Sequence, residues 1–99
     1  MRKFDLFNNV SNETNVPKHE VAIIIEAALI EIKKSIVKGD NLYIRGFGSF
    51  IAKKRAAKIG RNIKKGTPVH IPEHYIPAFK PSKEFLLSVK AKKSNEQGY

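Results

Sequence analysis

The sequence predicts a small α+β domain: two helices, three antiparallel strands with a protruding hairpin, and a closing helix. Three observations carry this reading. Apolar residues recur at helical spacing up to Lys38 and again after Pro81, the period turns strand-like after Asp40-Asn41, and glycine and proline fall where the pattern switches. A chain of 99 residues suits one domain and speaks against a two-domain enzyme.

The elements follow in order. Phe4, Phe7 and Val10, with Leu6 alongside, predict a short first helix that ends at the polar cluster Ser11-Asn12-Glu13-Thr14-Asn15. Pro17 sets the φ angle of a second helix start, and Glu20 lies in its first turn, where the helix dipole favours a carboxylate. That helix runs from about Lys18 to Lys38 and closes at Gly39. It has two apolar faces. Val21, Ile24, Ile25, Ala28, Leu29, Ile32 and Ile36 form one stripe, which a short helix and a small sheet of the same chain could cover. Ile23, Ile30 and Val37 lie almost opposite, and the cover expected for them is a partner chain, most simply in a two-fold dimer.

Leu42 to Arg45 and Ser49 to Ala52 are strand-like, joined by a tight turn through Gly46 and Gly48. The second strand continues towards Ile59. Residues 51, 53 and 55 share one face while Phe50 and Ala52 share the other, so a cationic and a core face separate by alternation. Gly60 to Pro68 reads as the tip of a hairpin arm spanning about 53–74. The return strand, about Val69 to Phe79, contains Pro72 and Pro77, which imply an edge position or bulges. Pro81-Ser82 opens the last helix, with Phe85, Leu86 and Val89 on its inner side and Lys83, Lys90, Lys92 and Lys93 outside. Residues 1–93 are expected to form one domain and 94–99 a flexible tail.

Charge is distributed unevenly. Lys and Arg number 19 against 9 Asp and Glu, a formal charge of +10, beside a 41% hydrophobic content that supports a folded core. Residues 1–40 are neutral overall, so the whole excess lies after them, and from Asn41 to Pro72 there are eight bases and no acid. Such a field repels itself and points to a polyanionic partner. Cysteine is absent, which excludes disulfides and thiolate metal sites. Asp5, Asn8 and Asn9 interrupt any secretory apolar region, and the longest aliphatic run, Val21 to Ile25, is far too short to span a bilayer. A cytoplasmic location is expected.

No catalytic constellation is evident. His19, His70 and His74 lack a supporting acid at useful spacing and read as surface or edge residues, and Gly46-Phe47-Gly48 is a turn rather than a phosphate cradle. No catalytic residue, metal, cofactor or small-molecule substrate is expected. Lys33-Lys34 and Lys92-Lys93 read as solvated faces. The seven bases from Lys53 to Lys65 are different, because they sit on a hairpin with little core to make. Neutralising phosphates there would release counterions and give salt-sensitive affinity. At the tip, Ile63 stands where a turn normally carries a polar residue; it either folds back on its own hairpin or acts as a wedge between base pairs, entered from the minor groove.

Three blocks in this order, Gly46-Phe47-Gly48-Ser49-Phe50, Arg55 to Asn62, and Ile71-Pro72 with Pro77-Ala78-Phe79-Lys80-Pro81, closely resemble the HU and integration host factor family of bacterial nucleoid proteins over about residues 1–93. The resemblance implies an intertwined homodimer, or a heterodimer with a paralogue, that wraps double-stranded DNA with two arms in the minor groove and bends it with little sequence preference. It implies phosphate contacts from Lys53, Arg55, Lys58 and Arg61, joined on the arm by Asn62, Lys64 and Lys65, with Lys3, Lys80 and Lys83 flanking, and a dimer core at Phe47, Phe50 and Phe79. The family usually places an intercalating proline after Arg61-Asn62, where this chain has Ile63. The competing expectations are a site-preferring bender of the integration host factor type and an RNA- or ribosome-associated basic protein; the chain lacks the clustered stacking aromatics of single-strand RNA readers. Adsorption to a membrane would need a basic amphipathic helix with exposed bulky residues and is not expected.

Overall fold

The computed structural model describes residues 1–62 and 64–97. The order is α1 (Lys3–Thr14), α2 (Lys18–Val37), β1 (Leu42–Ile44), β2 (Gly48–Arg55), β3 (Lys58–Asn62), β4 (Thr67–Ile71), β5 (His74–Pro81) and α3 (Lys83–Gln97). The chain divides into two compact units, Met1–Ser35 and Ile36–Tyr99.

The helical unit begins with a backbone cap: the Arg2 N–H donates to Asp5 Oδ2 at 2.8 Å, which satisfies a donor that a helix start leaves open. α1 is a turn longer than its apolar spacing implies. The polar residues Ser11 to Thr14 stay helical, Thr14 Oγ1 donates back to the Val10 carbonyl at 2.7 Å, and Asn15, at φ 63°, closes the helix by donating its N–H to the Ser11 carbonyl. Asparagine tolerates that left-handed conformation, so the stop lies at the end of the polar cluster and not at its start. The Pro17 carbonyl accepts the Val21 N–H at 3.1 Å and starts α2. Gly39, at φ 80°, follows the other end of α2 as expected.

Phe7 and Val21 are the buried hydrophobic side chains of the described residues, and Phe4 meets Phe7 edge-on at 5.9 Å. The opposite stripe of α2 is open, with Ile23 at 67% and Val37 at 88% exposure. The first stripe is covered in part: Val21 is buried, Ile25, Ile32 and Ile36 are half-buried, and Ile24 and Leu29 are 64% and 44% exposed.

In the second unit, β1, β2 and β5 form an antiparallel sheet in that order, and β3 and β4 form a separate two-stranded ribbon. This is the three-stranded sheet with a separate hairpin arm that the sequence led one to expect, with the second and third expected strands each broken in two, so that five strands are counted. β2 stops before Ala56-Ala57 and β5 starts after Pro72-Glu73, so both partners break at the same level. Pro72 cannot donate a ladder hydrogen bond, which accounts for the break on its side. Asn41 extends the pairing beyond β1, its Oδ1 accepting the Ala52 N–H at 3.1 Å.

Phe47, Phe50, Phe79 and Phe85 cluster, with ring centroids 5.0 Å apart for Phe50 and Phe79 and 5.3 Å for the stacked Phe47 and Phe85. α3 is tied to the same place: the Ser82 N–H donates to the Phe47 carbonyl at 2.9 Å, and Ser82 Oγ caps the helix by accepting the Phe85 N–H at 3.2 Å. Of the inner residues expected on α3, Phe85 joins the cluster, while Leu86 and Val89 are 43% and 45% exposed. Gly48 makes the cluster possible. A Cβ there would lie 2.5 Å from the Lys80 carbonyl oxygen and 2.7 Å from the Phe79 ring. Gly48→Ala is expected to destabilise the protein by about 1–3 kcal/mol, the usual cost of overpacking. Thermal unfolding checks it, with the adjacent Ser49→Ala expected to fall within about 0.5 kcal/mol of the parent.

Candidate nucleic-acid interface

Register decides which side chains meet. In the β2–β5 ladder Phe50 pairs with Phe79, Ala52 with Pro77 and Lys54 with Tyr75; the intervening pairs are Ser49 with Lys80, Ile51 with Ala78, Lys53 with Ile76 and Arg55 with His74. Directly paired residues share a face and successive residues alternate, so the sheet has an apolar face built on Leu42, Phe50 and Phe79 and a second face carrying Lys53, Arg55 and Lys80. This is the separation of residues 51, 53 and 55 from 50 and 52 that the alternation implied. Tyr43, 71% exposed and paired with Ser49, belongs to the cationic face as well.

Lys54 points the other way and is neutralised. Its Nζ lies 3.2 Å from Glu73 Oε1, with both side chains more than half exposed. An exposed pair of this kind contributes little stability. Its effect here is to occupy, away from the cationic face, the one acid between Asp40 and Glu84. Among the described residues, Lys53, Arg55 and Lys80 form no salt bridge.

The ribbon β3–β4 continues the basic tract. Lys58 pairs with Ile71, Ile59 with His70, Gly60 with Val69, Arg61 with Pro68 and Asn62 with Thr67. Lys58 and Arg61 therefore lie on opposite faces of the ribbon, where the sequence had grouped them as one set of contacts. Gly60 fits beneath Ile71, whose Cδ1 would sit 3.3 Å from an added Cβ. Lys64 and Lys65 are exposed in the connecting turn. Ile63 lies outside the described residues.

The flanking residues are dispersed. Lys83 is the first residue of α3 and is exposed. Lys3 belongs to the helical unit, where its Nζ meets Glu26 Oε1 at 2.8 Å beside a groove lined by Phe4, Phe7, Ile23 and Ile30. Sequence reasoning missed the Lys54–Glu73 pair and the position of His74 across from Arg55, because the interruptions of the strands at 56–57 and 72–73 break the alternation that would have placed them. No helix among the described residues is long and apolar enough to cross a membrane, and no three His, Asp or Glu side chains among them are grouped to hold a metal ion.

Comparison with known proteins gives a consistent result. A family model described as bacterial DNA-binding protein matches residues 1–90. DNA-binding protein HU of Staphylococcus aureus is 37% identical over 90 residues, which cover 91% of this chain and all of the relative. The protein of the same name from Thermotoga maritima is also 37% identical over 90 residues. Among solved structures, an Anabaena HU–DNA cocrystal structure superposes with a TM-score of 0.86 at 35% identity, covering 90% of this chain and 97% of that one.

Proposed function

The chain belongs to the family of bacterial DNA-binding proteins, and we propose that it is a non-enzymatic architectural protein of the nucleoid that binds double-stranded DNA, wraps it and bends it. One observation carries the assignment to this chain's own residues: Lys53, Arg55 and Lys80 share a face that no acid neutralises, and the basic tract runs from that face directly into a ribbon without a core. Lysine and arginine on this face are placed to neutralise phosphates of either strand as a duplex lies across it. A ribbon with cations on both faces, Lys58 on one and Arg61 on the other, suits a groove with a phosphate wall on each side. The location that follows is cytoplasmic, on the chromosome.

Two protomers form the binding unit. Phe7 and Val21, the buried hydrophobic side chains among the described residues, cannot offset the conformational entropy of ordering this chain. Both stripes of α2 and the partly open phenylalanine cluster, with Phe47 at 43% and Phe79 at 39% exposure, supply the apolar area for a second copy or a paralogue to cover. Phe47, Phe50 and Phe79 are the core of that assembly. Bending follows if the tip enters the groove, and Ile63 is the residue assigned to the wedge, a role isoleucine can fill at a cost of a few kcal/mol of unstacking per step.

The deciding experiment is a salt titration of binding to a mixed-sequence duplex. Lys53→Ala and Arg55→Ala are each expected to lower the slope of log K against log salt by about 0.9 for every phosphate contact removed. An unchanged slope, or equal affinity for duplex RNA, would count against the assignment. In a ring-closure assay Ile63→Ala should close short circles less efficiently than the parent while keeping its salt slope; equal closure would remove the wedge. Sedimentation equilibrium should return twice the 11.2 kDa chain mass, and Phe79→Ala should shift that equilibrium towards monomer or unfolded chain.

A further inference from the structure

The cationic face carries one imidazole that the count of lysine and arginine leaves out. His74 opens β5 directly across from Arg55 and on the face that holds Lys53 and Lys80. Its Nδ1 lies 2.9 Å from the Pro72 carbonyl oxygen. A carbonyl only accepts, so Nδ1 is the nitrogen that carries hydrogen, and the neutral ring is left with a bare Nε2. A bare Nε2 is an acceptor and has nothing to offer a phosphate oxygen. Protonation turns it into a charged N–H donor without disturbing the bond to Pro72. The local hydrogen bond thus selects the tautomer that is useless to an anion when neutral and suited to one when charged.

We propose that His74 is a proton-dependent phosphate contact of the duplex-binding face, adding one cation per protomer when its ring is charged. The proposal rests on the duplex-binding reading above. From β2, the groups facing His74 are Arg55 directly opposite and Lys53 diagonally; along β5 its same-face neighbour is Ile76. Tyr75 and Lys54 lie on the other face, where Glu73 is engaged by Lys54 at 3.2 Å. No further strand adjoins β5 among the described residues. Lysine and arginine keep their charge over the range of about pH 5–8, so a histidine is the side chain through which this face can respond to pH there. The sign follows from linkage. A phosphate seated beside the ring favours its charged form, binding takes up a proton, and affinity rises as pH falls through that range.

The test is binding of the full chain to a fluorescent duplex over a KCl series at about pH 5.5 and pH 8. The parent should show a steeper salt slope at the lower pH, by about 0.9 per protomer engaged. His74→Gln should abolish the difference between the two pH values, His74→Lys should give the steep slope at both, and His70→Gln should keep the difference. A parent slope that does not change with pH, or a His74→Gln variant that keeps the parent's change, would overturn the proposal. Failure of the parent to bind duplex at either pH would instead sink the duplex-binding reading on which it rests.

Discussion

The antiparallel register of β2 on β5 sets everything else in the second unit. Because side chains alternate with a period of two, a one-residue slip of β2 against β5 would carry Phe50 to the cationic face, away from Phe79, and bring Lys53 and Arg55 to the apolar face. Two features hold the register at its inner end. Gly48 lets the Lys80 carbonyl and the Phe79 ring approach closer than any side chain would allow, and the phenylalanine cluster then locks the strands from one side. α3 is anchored to the same turn by the Ser82 to Phe47 hydrogen bond. The position of the cations is thus a consequence of packing on the opposite face, not of any attraction among the cations themselves.

The single chain is a half-finished object. Among the described residues its buried hydrophobic side chains are Phe7 and Val21, while isoleucines on both sides of α2 and leucines on α3 remain in solvent. A monomeric domain of this size would be expected to close over such residues. In the proposed dimer, association would complete the core and, by two-fold symmetry, duplicate the cationic face. Stability and binding geometry therefore depend on the same apolar contacts, and a lesion in the phenylalanine cluster should harm both.

Much of this was legible in the residues. The limits of α2, the turn at Gly46, the two faces of β2 and the basic ribbon all followed from periodicity and from where glycine and proline stand. The phenylalanines 47, 50 and 79 were grouped by resemblance, and the structure adds Phe85 to them. What periodicity could not reach lies at discontinuities. The polar last turn of α1 is held by Thr14 and Asn15 through local hydrogen bonds that carry no hydrophobic pattern. At Ala56-Ala57 and Pro72-Glu73 the ladder stops and restarts, and each restart resets which residues face each other. The histidine opposite Arg55 and the ion pair of Lys54 were hidden for that reason alone.

The ribbon shows how an arm can be built with almost no core. Its five paired positions bury little beyond the contact of Gly60 with Ile71, and an isolated two-stranded hairpin is marginal in water. Like charges crowded along it weaken it further. In the proposed complex a polyanion would reverse that sign, since each phosphate converts a repulsive neighbour into an attractive one and releases counterions as it does so. The same cations that make the free arm costly to hold would then stabilise it, coupling the arm's order to its ligand. The body cannot work this way, because a face that must keep its register before the ligand arrives needs the phenylalanine cluster behind it.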